Sequence, residues 1–281
     1  MRFEISHEIK YRYSSPVFFE PHTLFLRPRE DPTQKLFNFE ITLDPLPVLS
    51  TWEMDAFGNQ PYRAWFQGLS DHFTIRVKSD VEVVRTNPFD YLLDATCQEL
   101  PVRYNAETKS TLMPYQIKNP PAPATESFSK MIAERVDRQT SPFLFELCRE
   151  IAAEFKIIHR AEGEPWPAAE TLEKRTGSCR DLSMLFIECC RAQGLAARFT
   201  SGYYEGDPES PEKELHAWCE VYLEGGGWRG FDPTAGLAVA ETHIPIAAGN
   251  TSKMVAPVTG AFRGNHIISK MTTAVSIRRK S

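Results

Sequence analysis

Cys179 lies in the stretch Thr176-Gly-Ser-Cys-Arg-Asp-Leu182, which predicts a helix beginning at the cysteine itself. Ser178 and Asp181 have the S-x-x-D spacing of a capping box. Leu182, Leu185, Phe186 and Cys189 then recur at i, i+3, i+4 and i+7, and Gly194 supplies the stop. A thiol in the first turn of such a helix meets unpaired backbone N–H groups and the positive end of the helix dipole. Both favour the thiolate and lower the pKa from its free value of about 8.5. The same N–H groups can receive an oxyanion formed at an attacked carbonyl. The chemistry such a thiol permits is nucleophilic attack on a carbonyl. The other cysteines, Cys97, Cys148, Cys189, Cys190 and Cys219, read as small buried hydrophobes.

Candidate partners for the thiol lie on a hairpin. His216-Ala-Trp-Cys-Glu-Val-Tyr-Leu223 alternates, with His216, Trp218, Glu220 and Tyr222 on one face; Glu224-Gly-Gly-Gly227 turns the chain, and Trp228-Arg-Gly-Phe-Asp232 returns. If the loop runs from Leu223 to Gly227, Tyr222 pairs with Trp228 and Asp232 faces Trp218. Asp232 is then a diagonal neighbour of His216, about 7–8 Å away backbone to backbone. A loop one residue shorter puts the two on opposite faces. The spacing permits a His–Asp pair without compelling it. Taken singly, a strand histidine has an ordinary structural reading and an aspartate before proline reads as a turn residue. Their combination with a cysteine at a helix start is what points to chemistry. Asp181 reads as a helix cap, and Trp218 and Trp228 as packing between helix and sheet or as lining of a substrate cleft. One of the adjacent Tyr203 and Tyr204 must face outward from a strand.

These groups need a scaffold, and the hydrophobic periodicity supplies one. Phe3, Ile5, Ile9, Tyr11 and Tyr13 show the two-residue period of a strand. So do Phe37, Phe39, Ile41 and Leu43, and again Phe73, Ile75 and Val77 followed by Val81, Val83 and Val84. Asp55-Ala-Phe-Gly-Asn59 supplies turn chemistry. Residues 1–85 therefore read as an all-β module, with no cluster of nucleophile, base and acid. Asn119-Pro-Pro-Ala-Pro123 is stiff and extended and marks a junction within 86–124. Beyond it the period becomes helical. Ser141-Pro142 starts a helix that carries Leu144, Leu147, Cys148, Ile151, Ala152 and Phe155 on one face.

The 281 residues suffice for one large domain or two ordinary ones. With 42% hydrophobic and 25% charged residues the composition is globular, and a net charge of -5 gives no general attraction to nucleic acid or anionic membrane. No apolar run approaches a membrane span and no signal peptide precedes the first strand, so a reducing, cytoplasmic compartment is expected. The six cysteines form no C-x-x-C pair and no zinc-like spacing with histidine. Neither a metal nor a cofactor is expected.

Gly177-Ser-Cys-Arg-Asp181, Ala197-Arg198 with Ser201-Gly-Tyr203, His216-Ala-Trp218, and Gly227-Trp228 with Phe231-Asp-Pro-Thr234 resemble the core of the transglutaminase-like superfamily in order, spacing and flanking residues. His7 with Tyr11-Arg-Tyr13, Leu26-Arg-Pro28 and Asp55-Ala-Phe-Gly-Asn59 resemble the β-domain that precedes this core in bacterial members. Thr242-His-Ile244 and Gly249 resemble its usual continuation. The resemblance implies an α+β, papain-like core over 125–281, a nucleophile helix on an antiparallel sheet, preceded by a sandwich-like β domain over 1–85. It implies Cys179 as nucleophile, His216 as general base and acid, and Asp232 as the group orienting the imidazole. Trp166 is a candidate side-chain oxyanion donor by residue type, with packing as its ordinary role. No calcium-ligand cluster of the animal cross-linking kind is present. The resulting thioester would be resolved by water, in a peptidase or amidase acting on a peptide or protein, or by an amine, in a transglutaminase. A non-catalytic peptide-binding module on the same fold is the reading of another class.

Overall fold

The alternation of the first segment becomes one long strand, β1 (Arg2–Phe19), with Phe3, Ile5, His7 and Ile9 buried on one face. It is followed by β2 (His22–Leu24), β3 (Gln34–Asp44), β4 (Leu49–Trp52), β5 (Tyr62–Trp65) and β6 (Ser70–Val83). The structure is a computed structural model and describes residues 1–117, 123–160, 163–206 and 213–280. Helices come next: α1 (Ala106–Leu112), α2 (Pro123–Arg135) and α3 (Thr140–Glu154), then the short strand β7 (Lys156–Ile157), α4 (Ala168–Lys174), the short strand β8 (Thr176–Gly177), and α5 (Cys179–Ala192). The chain ends in strands β9 (Ala197–Tyr204), β10 (Leu215–Leu223), β11 (Gly227–Asp232), β12 (Leu237–Ala238), β13 (His243–Gly249), β14 (Val258–Thr259), β15 (Phe262–Arg263) and β16 (Ser269–Lys280). Residues 119–122 of the proline-rich junction lie outside the described residues; Pro123 opens α2. The Ser141-Pro142 start falls in the first turn of α3, one residue after its first position. Among the described residues no helix is long and apolar enough to cross a membrane.

β1 pairs antiparallel with β6 and β16, β6 pairs with β3, and β15 adds to the far end of β1. A second sheet, in the order β14-β2-β5-β4, closes over part of the first. Ile9, Val17, Phe19, Leu24, Phe66 and Phe73 form the core between them, which gives the sandwich-like domain its own interior. At 18 residues, β1 is about 60 Å long at the usual rise. It outruns that small core. Its first residues, Phe3 and Ile5, join Val81, Leu144, Leu182, Phe186 and Ile244 in the larger core instead. The two cores therefore share one strand.

The third large sheet runs β12-β11-β10-β9-β13, all antiparallel, and none of its strands comes from the first 85 residues. α5 packs on β10 and β9, where the Cys219 thiol donates to the Ser183 carbonyl at 3.2 Å. This is the helix-on-antiparallel-sheet arrangement the sequence implies. One boundary needs correction. β16 pairs with β1 from Arg2↔Lys280 to Tyr13↔Ser269, β15 with the far end of β1 and β14 with β2, so the segment expected as core to residue 281 gives its last three strands to the N-terminal sheets. Met271, Val275 and Ile277 carry a strand period, but a partner at the opposite end of the chain leaves no local trace.

Candidate active site

The thiol is placed by a helix start that the local sequence compels. Ser178 is extended (φ -78°, ψ 171°), its N–H donates to Asp181 Oδ2 at 2.7 Å, and its hydroxyl lies 2.8 Å from the same oxygen. Gly177 is required here, because a Cβ at this position would stand 2.8 Å from that of Asp181. Asp181 does more than cap. Its fully buried carboxylate also receives Arg160 Nη1 at 2.6 and 2.7 Å and the Trp166 backbone N–H at 2.7 Å. Burial alone would push its pKa up; the Arg160 guanidinium and these N–H donors outweigh that and hold it below the usual carboxylate range.

All six cysteines are free, and only Cys179 is not buried. Burial pushes the thiols of Cys97, Cys148, Cys189, Cys190 and Cys219 up, which keeps them protonated and inert.

The β10–β11 hairpin adopts the register with the longer loop, pairing Tyr222 with Trp228 and Leu223 with Gly227. Gly225 and Gly227 take positive φ of 86° and 69° to make the turn. Cys219 pairs with Phe231, so the next positions, Trp218 and Asp232, face one another and Asp232 shares the face of His216. His216 Nε2 donates to Asp232 Oδ2 at 2.7 Å. Cys179, at the first position of α5, lies close enough to the same ring to contribute to its pKa, at the end of the sheet where α5 and β10 both begin. Burial opposes charge on His216. The Asp232 carboxylate, through its charge and its hydrogen bond, together with Cys179, overcomes that and raises the imidazolium pKa well above its ordinary value. Burial likewise pushes the Asp232 carboxyl up, and His216 and His243 outweigh it and hold the group ionised.

The structure thus brings Cys179, His216 and Asp232 together, and it adds two residues to which the sequence reading gave no role. Thr234 donates to Asp232 Oδ1 from its backbone N at 2.9 Å and from its hydroxyl at 2.5 Å. This is the side-chain turn that an Asp-Pro-Thr run encodes, and the spacing was a usable signal. His243, on β13, places Nε2 3.1 Å from Asp232 Oδ2 and is entirely enclosed. It stands far from His216 in sequence and reaches the site only because β13 pairs with β9.

Tyr203 is buried and bonded through its hydroxyl to His7, while Tyr204 stacks on His243 at 4.3 Å and lies 5.2 Å from the His216 ring. Trp218 packs on Gly202 and on the imidazoles of His216 and His243. Trp228 meets the guanidinium of Arg198, at 4.0 Å from the ring centre, and the ring of Tyr115. Trp166 lies between the cations of Arg160 (4.4 Å) and Lys174 (4.1 Å), a packing role in which its backbone N–H is the group held by Asp181.

Among the described residues, His216, Asp232 and His243 form one group of potential metal-binding type, with ligand atoms within 4.8 Å of one another. The same nitrogens are joined to Asp232 Oδ2 by hydrogen bonds, so the arrangement shares protons around a carboxylate.

Residues 3–82 match the bacterial transglutaminase-like N-terminal region, and residues 130–233 match the transglutaminase-like superfamily. An uncharacterized protein of Mycobacterium tuberculosis (strain H37Rv) is 27% identical over 291 residues, covering 98% of this chain and 92% of its own. A crystal structure of a candidate cysteine protease from Cytophaga hutchinsonii superposes with a TM-score of 0.72 at 19% identity, covering 100% of this chain and 92% of that one, and shows the same fold. Residues 130–233 thus belong to the transglutaminase-like superfamily, and residues 3–82 carry the N-terminal region of its bacterial members.

Proposed function

We propose that this protein is a cysteine peptidase or amidase acting on peptide or protein amides through Cys179, His216 and Asp232. The observation that carries this reading is the one accessible thiol set beside His216, which in turn donates to the buried, ionised Asp232. In the proposed reaction the Cys179 thiolate adds to the amide carbonyl carbon, and the oxyanion meets backbone N–H groups at the start of α5. As the tetrahedral adduct collapses, protonated His216 gives its proton to the departing amine and a thioester remains. Water, deprotonated by His216, then attacks the thioester, releasing the acid and restoring the thiol–imidazole pair.

An amine in place of that water would give acyl transfer with the same three residues. Mass spectrometry of products from a peptide library, with and without an added primary amine, separates the outcomes. Cleaved or deamidated peptides in both arms support hydrolysis. Amine adducts at the expense of hydrolysis point to transfer, and no product in either arm points to a binding module. A cytoplasmic location belongs to this proposal and is supported by six unpaired cysteines. Cell fractionation tests it.

A further inference from the structure

Asp232 Oδ2 serves two imidazoles, and only one of them contacts the thiol. An ionised carboxylate can only accept, so the 3.1 Å contact requires a proton on His243 Nε2. Nδ1 of His243 then accepts from the Thr242 hydroxyl at 3.1 Å. Burial lowers the pKa of this ring, against the opposing pull of Asp232, so it is held as the neutral donor. Its faces are filled as well: Tyr204 stacks on it at 4.3 Å, and Trp218 meets it edge-on at 5.1 Å. Both of these rings also lie beside His216.

The strand that carries His243 is itself clamped. One edge of β13 pairs with β9. The other is held by the N-terminal domain: the Arg29 N–H and Gln34 Nε2 both donate to the Pro245 carbonyl, at 2.9 and 3.1 Å. Asn59 exchanges two hydrogen bonds with the backbone of Ala248, at 2.8 and 3.0 Å. Of all parts of the fold, a β domain with no chemistry of its own fixes the strand behind the catalytic carboxylate.

We infer that His243 is a positioning residue: its Nε2–H fixes Asp232 Oδ2, and its ring holds Tyr204 and Trp218, so that the imidazole of His216 is aimed at Cys179. This rests on the proposed roles of Cys179, His216 and Asp232. Without the His243 donor, Asp232 keeps Thr234 on Oδ1 but loses the second hold on Oδ2. His216, which also has the Thr234 hydroxyl 3.3 Å from Nε2, can then turn from the thiol. The thiolate loses its cationic partner where it needs it most, at low pH.

The test is the rate of alkylation of Cys179 by iodoacetamide, followed by peptide mapping at pH 6 and pH 9, in folded wild type, His243→Leu and His243→Gln. Gln keeps an N–H donor at the reach of Nε2; Leu does not. His243→Leu is expected to slow labelling about ten- to hundred-fold at pH 6, the range spanned by one charge-assisted hydrogen bond, and much less at pH 9. His243→Gln is expected to stay within about threefold of wild type at both. An unchanged rate at pH 6 in His243→Leu overturns the inference. So does equal loss at both pH values in both variants, which is the mark of a merely structural role. Should His243→Leu fail to fold, nitrogen NMR of the wild-type histidines decides: His243 must carry its proton on Nε2, and the Nδ1–H tautomer refutes the hold on Asp232. If wild-type Cys179 is not labelled ahead of the other five thiols, it is the proposed catalytic set that fails, and the tautomer still decides the role of His243.

Discussion

Arg160 Nη1 reaches both carboxylate oxygens of Asp181, at 2.6 and 2.7 Å, and Asp181 is fully enclosed two residues beyond the candidate nucleophile. The pair ties three things to one buried charge: the start of α5, the segment at Arg160 and the backbone of Trp166. Without Arg160 the carboxylate would be a buried anion held only by Ser178 and Trp166. Arg160→Ala is therefore expected to cost about 3 kcal/mol of stability at pH 7, measured by urea denaturation. The effect should shrink in acid. A carboxyl held below its usual pKa contributes stability above about pH 4, and that contribution is lost as pH falls through the folded-state value. An equal deficit at pH 7 and pH 3 would mean that Arg160 acts by packing alone.

The N-terminal domain meets β13 through Asn59, whose side chain completes the ladder for Ala248 on the side where no strand follows. Asp55 Oδ1 accepts from the Asn59 and Phe57 N–H groups and fixes the turn that presents it. Asn59→Ala leaves the buried Ala248 N–H and carbonyl without these partners and is expected to destabilise the protein by roughly 2–4 kcal/mol. Hydrogen exchange at Ala248 should rise more than exchange in α5. Unchanged exchange along β13 would show that β9 alone holds the strand.

What could be read from sequence followed from the range over which each signal acts. The helix at Cys179 is coded within five residues by Gly177, Ser178 and Asp181, and the structure has it at that position. The β10–β11 register follows from Glu224-Gly-Gly-Gly227, yet the spacing alone left a second register open; the positive φ at Gly225 and Gly227 selects between them. His243 is legible only within the stretch Thr242-His-Ile244, without a role, β16 only as a strand period without a partner, and Arg160 not at all. His243 needs β13 beside β9, Arg160 needs a loop folded back on α5, and β16 needs the two chain ends together. Each depends on a long-range pairing that no local pattern specifies. Asp181 reads from the sequence as a cap because capping is local, whereas its ion pair is not.

His7 reports on the seam between the two layers. It is 2% exposed, lies 3.1 Å from the Tyr203 hydroxyl through Nδ1, and 3.0 Å from the Thr273 hydroxyl through Nε2. Burial lowers its pKa to about 4. A histidine kept neutral in the fold binds fewer protons than in the unfolded chain. Its contribution is whole above pH 6.5 and declines as pH falls toward 4, by roughly 3 kcal/mol in total. His7→Gln removes this liability while keeping hydrogen-bonding capacity. The stability difference between wild type and variant should move in the variant's favour between pH 7 and pH 4, measured by urea denaturation at each pH. A difference that stays constant would place the ring in contact with water.

The three site residues should fail in different ways when replaced, read by hydrolysis of a responsive peptide amide with circular dichroism to establish folding. Cys179→Ala removes the only group able to form the thioester, so turnover should fall to background. The fold should persist, because alanine suits the first turn of α5. His216→Ala should be nearly as damaging, by about 10⁴-fold or more, since the thiolate loses its partner and the leaving amine its proton donor. Replacing both should cost little beyond either alone, because they act as a unit. Asp232→Asn should be about 10²-fold less damaging, leaving nucleophile and base in place while removing the charge that holds His216 protonated. That loss has a pH signature. The raised His216 pKa lets the ion pair persist into alkaline solution, and activity declines as pH rises through the folded value. Without the Asp232 charge this alkaline limb should move to lower pH. An Asp232→Asn enzyme with unchanged rate and limb would remove Asp232 from the set, and full activity in folded Cys179→Ala would remove the mechanism.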